Sequence, residues 1–221
     1  MTYEYTSSVF INCPFDNDYR PMLYAMTFTV YDCGYRPRCA LELDDGGQVR
    51  IDKISKIISE CKFGIHDISR TELDEKHLPR FNMPLELGIF LGAKKFGSII
   101  DKQKVALILD RDKYRYQIYI SDIAGQDIMA HSNDPAAVIP IVRNWLRNSS
   151  GRRTIPGGNA ILARYNIFKT ELPILCSSLH LEHGSLIFND YALLASEWIK
   201  SNLLVALAEA EQDTIAPPLV R

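Results

Sequence analysis

Short, uninterrupted apolar runs alternate with longer stretches of helical periodicity, and no other feature of the chain restricts its fold as strongly. Val9-Phe10-Ile11, Phe63 to Ile68 and Val105 to Leu109 have the length and character of strands buried on both faces. Between them, Tyr19, Met22, Leu23, Met26, Val30 and Cys33 recur at helical spacing from about Asp18, with Gly34 where a C-terminal cap belongs. Ile54, Ile57, Ile58 and Cys61 repeat the pattern after the turn residues Asp44-Asp45-Gly46-Gly47. Tyr35 to Leu43 reads as a second strand. Beyond a polar loop from Ser69 to Phe81, Asn82 reads as the N-cap of a helix with Pro84 in its first turn and apolar residues through Leu91.

Connections of this length suit crossovers, so the expected fold is α/β: a flavodoxin-like parallel sheet of about five strands with helices on both faces. Residues 114 to 122 fit either a fifth strand or a short helix, and Asp134 to Trp145 reads as a closing helix capped by Asp134. Asn148 to Arg153 has linker composition. The pattern divides the chain into an α/β domain over 1–148 and a C-terminal helical region over 149–221, broken at Pro173 and at His183-Gly184. The apolar runs of that region, such as Leu203 to Leu207, need a partner, either the α/β domain or a second copy of the chain.

A net charge of −2 offers no general attraction to nucleic acid or an anionic membrane, and no run approaches the roughly 18 apolar residues of a membrane span. A cytoplasmic protein is expected, with neither nucleic acid nor membrane as partner. The five cysteines contain no C-x-x-C pair and mostly lie in apolar runs, which suits reduced, packed thiols. His180 and His183 share a helical spacing but lack a third ligand nearby, so no metal site is expected.

Ligands of open parallel sheets gather at the strands' carboxyl ends, here Asn12 to Asp16, Leu41 to Gly47, Asp67 to Arg70 and the Asp110 region. Neither G-x-G-x-x-G after the first strand nor G-x-x-x-x-G-K-[ST] is present. What remains is a pair of carboxylates at one rim, Asp67 ending the third strand and Glu86 early in the next helix. Glu86 shares its helix face with Phe90 and Ala93, and partial burial raises a carboxyl's pKa. Such a group can attack or stabilise an oxocarbenium-like sugar carbon while a second carboxylate handles protons or a ribose hydroxyl. It can equally do no more than complement the helix dipole, a contribution of about 0.3 to 1 kcal/mol. His66 fits a hydrogen-bonded core residue better than a proton carrier. Arg70 and Arg80 flank the glutamate loop as possible phosphate ligands, and Phe15 and Tyr19 as possible stacking partners for a base.

Phe10-Ile11-Asn12-Cys13-Pro14-Phe15-Asp16, His66-Asp67-Ile68-Ser69-Arg70 and Asn82-Met83-Pro84-Leu85-Glu86-Leu87-Gly88 together resemble the nucleoside 2-deoxyribosyltransferase-like family, related in fold to TIR domains. The resemblance implies Glu86 as the catalytic glutamate and Asp67 as the carboxylate that contacts ribose or water. Cys13, Pro14 and Phe15 would form the wall against the base and Asn82 would orient the glutamate loop. Asp16, Tyr19, His66 and Arg70 complete the implied binding set. It further implies cleavage or transfer at an N-glycosidic bond, with NAD as substrate and no separate cofactor, in a homo-oligomer of the kind bacteria use in antiphage defence. A nucleotide-sensing module without turnover, a nucleoside 2-deoxyribosyltransferase and an interaction scaffold are the competing readings. Cys13 where glycine or serine is common, and the long loop between Asp67 and Glu86, depart from the family pattern.

Overall fold

A computed structural model describes residues 5–73, 77 and 80–215, with side chains as far as residue 203. Five parallel strands, β1 (Ser8–Asn12), β2 (Arg36–Arg38), β3 (Phe63–Asp67), β4 (Val105–Asp110) and β5 (Ile128–Ala130), lie in the order β2-β1-β3-β4-β5. This is the flavodoxin-like α/β arrangement. The helices are α1 (Arg20–Asp32), α2 (Arg50–Ser59), α3 (Asn82–Phe96), α4 (Pro135–Ser150), α5 (Gly158–Ser178) and α6 (Phe188–Ile215). None of the described helices is long and apolar enough to cross a membrane.

Alternation along the buried strands sorts side chains between two layers. Val9, Ile11, Phe63, Ile65, Leu107 and Leu109 join the core beneath α1 and α4. Phe10 packs with Ile54, Ile57 and Ile58 of α2 and Phe90 of α3, while Ile108 packs with Leu87. Helix α1 is buried almost all round, as befits a helix covered on two sides. The sheet covers one side and α5 and α6 the other, where Phe28 meets the rings of Tyr165, Phe168 and Trp198. The C-terminal apolar residues described thus share one core with the sheet. Asp32 is clamped by Arg164 of α5 at 2.6 Å, and Trp198 Nε1 donates to Glu171 at 2.6 Å.

Several elements differ from the sequence expectation. Strand β2 ends at Arg38, and Ala40–Glu42 forms a 3-10 turn, because the Arg38 guanidinium reaches Glu42 and Glu60 and turns the chain off the sheet edge. Residues 114 to 122 form two 3-10 turns, and the fifth strand is the short Ile128–Ala130. Asn82 is not an N-cap: it is the first residue of α3, preceded by Phe81, which makes no side-chain cap. Asp134 does cap α4, accepting from the Ala136 amide at 2.8 Å. Helix α4 continues into the expected linker as far as Ser150, where Gly151 at φ +68° ends it, and residues 151–153 lie outside any helix. Helix α5 runs through Pro173, an exposed position at which the helix gives up one backbone hydrogen bond.

Candidate functional site

Three buried carboxyl groups stand at the carboxyl rim: Asp110, held by Arg115 at the end of β4, and Asp67 and Glu86, which lie in different layers. Asp67, 0% exposed, ends β3 on the α1 side. Its Oδ2 accepts a hydrogen bond from the Tyr19 hydroxyl, and its Oδ1 accepts from the Ser69 amide at 2.8 Å. His131 Nε2, just past β5, lies 2.7 Å from the same Oδ2, although the ring is not aligned for a straight hydrogen bond. The Asn133 amide donates to His131 Nδ1 at 3.1 Å, which leaves the ring proton on Nε2, facing Asp67. Asp67 thereby ties β3 to the start of α1 and to the approach to α4. Burial and the Asp67 charge hold the Tyr19 phenol well above its usual range.

Glu86 lies in the second turn of α3, on the α2 side of the sheet, and is 3% exposed. Its carboxyl makes no hydrogen bond with any described residue. Burial pushes it up to about 7, opposed by the pull of Arg50 at the start of α2. It is held beside the rim by its helix: Asn12 Nδ2, at the end of β1, donates to the Met83 carbonyl at 2.9 Å and to His66 Nδ1 at 3.2 Å. Burial keeps His66 neutral, its pKa lowered to about 3, and its ring sits edge-on to Phe10 and Phe90. Gly64 makes room for it, since a Cβ there would stand 2.6 Å from His66 Nε2. His66 is a core residue.

The remaining predicted residues divide between these surroundings. Cys13 is fully buried between the two carboxyls; burial first, and then the charges of Asp67 and Glu86 among others, hold its thiol well above the usual range, so it is no nucleophile. All five cysteines are buried free thiols. Pro14 is buried beside Cys13. Asp16 bonds Arg70 at 3.0 Å and stands 3.6 Å from Arg80, so both arginines expected to meet a phosphate already face a carboxylate. Asn82 is exposed and makes no hydrogen bond to Glu86. The structure therefore joins Asp67 with Tyr19, His66 with Asn12 and Asp16 with Arg70, but joins Glu86 with neither Asp67 nor Asn82.

Phe15 lines a cleft of 540 Å³ with Tyr24, Ala40, Leu43, Arg50 and Lys53, closed on one side by Ser185 to Asn189 of the α5–α6 junction. A second cleft of 500 Å³ opens on the Asp67 side between Tyr19, Ser69, Arg70, Arg111 and Asn133. The sequence reading overlooked Arg50, Lys53, His131 and the α5–α6 junction. It also overlooked Arg115, which anchors the loop after β3 by bonding Asp110 at 2.6 Å and the Ser69 carbonyl at 2.5 Å. Arg50 and Lys53, one turn apart at the start of an amphipathic helix facing the rim, were visible in principle. Among the described residues no group of acidic, cysteine and histidine side chains is arranged to hold a metal. Compared with protein-family models, with curated proteins and with solved structures, the chain has no match.

Proposed function

We propose that the protein cleaves the N-glycosidic bond of a nucleotide, with Glu86 meeting the anomeric carbon and NAD as the leading substrate. The observation that carries the reading is Glu86 itself: a carboxyl 3% exposed, with no hydrogen bond to any described residue, and poised at about 7 at the rim where ligands of parallel sheets collect. A dipole-complementing glutamate has no need of burial. The three segments that resemble the nucleoside 2-deoxyribosyltransferase-like and TIR families supply the substrate class.

The surroundings favour a leaving group that is already cationic. Neutral purines and pyrimidines depart easily only when an acid protonates them. Asp67 is engaged with Tyr19, Ser69 and His131, and His66 stays neutral, so no second proton carrier stands beside Glu86 among the described residues. The nicotinamide of NAD carries its positive charge in the ring. When the bond between its nitrogen and the ribose carbon breaks, the electron pair returns to the ring and nicotinamide leaves neutral without a proton. Glu86 then bonds to, or stabilises, the ribose cation until water adds its oxygen and releases a proton.

Incubation with NAD and a panel of nucleosides and nucleotides, followed by chromatography of released bases, tests the reading. Nicotinamide release by the natural protein is expected, with a loss on the order of 100-fold or more in Glu86→Gln. Release should climb with pH to a plateau above about 7, because the ionised carboxylate is the active form. Absence of base release from every compound overturns the proposal; stabilisation by a nucleotide without turnover would favour the sensing module instead.

A further inference from the structure

We infer that the 540 Å³ cleft holds its ligand by a phosphate end, received by Arg50 and Lys53, and that the α5–α6 junction supplies the wall that selects it. The inference rests on the proposed nucleotide substrate, is tied to Glu86 through Arg50, which lines the cleft and pulls on that carboxyl, and assigns a role to residues that the family resemblance leaves untouched.

The cleft's charged lining is Asp44 against Arg20, Arg50 and Lys53, three positive charges less one, or a formal +2. The chain as a whole carries −2, so cationic charge is concentrated here against the molecule's balance. Arg20 is committed, donating to the Gly184 carbonyl at 2.9 Å and to Asn17 at 2.6 Å. Arg50 and Lys53 form no ion pair with any described residue. This separates them from Arg70 and Arg80, which share Asp16. An anion arriving between these two cations on the first turns of α2 also gains from the positive end of the helix dipole. Phe15, Leu186 and Phe188 give the same cleft an apolar side suited to a ring, and its volume is that of a small-molecule site. A ring joined to phosphates satisfies both halves; a free nucleoside satisfies one.

The wall is built in. Arg20 reaches the Gly184 carbonyl, Asn189 Nδ2 donates to the Glu42 carbonyl at 3.4 Å, and Tyr191 stacks on Tyr24 at 3.6 Å while its hydroxyl donates to the Tyr24 carbonyl at 2.9 Å. The C-terminal helices therefore complete the cleft as well as cover α1.

The test measures binding apart from chemistry. In Glu86→Gln protein, titration calorimetry with ADP and with adenosine is expected to give clearly tighter binding for ADP. Adding Lys53→Ala should weaken ADP about tenfold, as befits a lost charge-assisted hydrogen bond, and leave adenosine unchanged. Ile187 is 61% exposed at the cleft wall, so Ile187→Glu should fold normally, checked by circular dichroism, and weaken ADP by a similar factor through charge repulsion. No binding of ADP at millimolar concentration, equal affinity for ADP and adenosine, or an ADP affinity unmoved by both substitutions overturns the inference. ADP binding that follows this pattern in a protein that releases no base would refute the glycosidic reading and leave the cleft assignment standing.

Discussion

Asp67 and Glu86 are buried carboxyl groups at one rim of one sheet, and they live in opposite chemical circumstances. Asp67 faces a hydroxyl, an amide and an imidazole N–H, while Glu86 faces apolar and thiol neighbours with the nearest cation pulling from the start of α2. The difference teaches that burial alone does not decide what a carboxylate is for; the donors it meets do. A carboxylate that holds its donors is a strut; one that meets none among the described residues does no such work. The largest expected effect tests the strut. Asp67→Ala leaves a buried hydroxyl and an amide without their acceptor and removes the carboxylate beside His131, a cost of about 3–5 kcal/mol. Thermal unfolding should show a melting temperature lower by on the order of 10 °C. Glu86→Gln, with no partner to strand, should melt at or above the natural protein near neutral pH, and a collapse of both variants alike would break the contrast.

The second effect comes from Glu86 and has a defined sign. An acid whose pKa is higher folded than unfolded binds its proton more tightly in the folded state, so folding is favoured while it is protonated. The folded value of about 7 against 4.5 places the window. The burial penalty is absent below about 4.5, grows as pH rises, and is complete above about 7, on the order of 3 kcal/mol. Urea unfolding of the natural protein and Glu86→Gln at pH 5 and pH 8 should show the variant gaining relative stability at the higher pH. A difference that does not change with pH would place Glu86 among ordinary surface carboxylates.

Much of this contrast was legible in the chain and part of it was not. The apolar runs of β1, β3 and β4 and the periodicities of α1 and α2 reflect burial, which is written residue by residue. The three-residue β5 leaves no comparable trace, since a short edge strand with half its surface open needs no apolar run. Strand β2 was overextended because nothing local announces that Arg38 will turn toward Glu42 and Glu60. At the site, the rim placement of Asp67 and Glu86 follows from the order of elements, but their assignment to different layers does not. It depends on which helix covers which face, and His131 reaches Asp67 from 64 residues away. The cleft wall from α6 is likewise a product of tertiary packing.

Two smaller substitutions sharpen the same comparison. Tyr19→Phe removes one of the donors to Asp67 and keeps the ring in the core, so a loss of about 1.5–3 kcal/mol is expected by denaturant unfolding, less than for Asp67→Ala. Arg70→Ala gives the lower bound. Its partner Asp16 sits at the same rim, yet the Arg70 side chain is 38% exposed, and water replaces most of what the pair provides. Such pairs contribute about 0.2–1 kcal/mol, and salt screens them. The loss should therefore fall within that range in dilute buffer and shrink in 1 M salt, while the Tyr19→Phe loss stays constant because its hydroxyl and carboxylate are sealed from solvent. An Arg70→Ala cost that matched Tyr19→Phe and ignored salt would mean that the rim's outer charges are as deeply committed to the fold as Asp67, and that the division between strut and open carboxyl falls elsewhere.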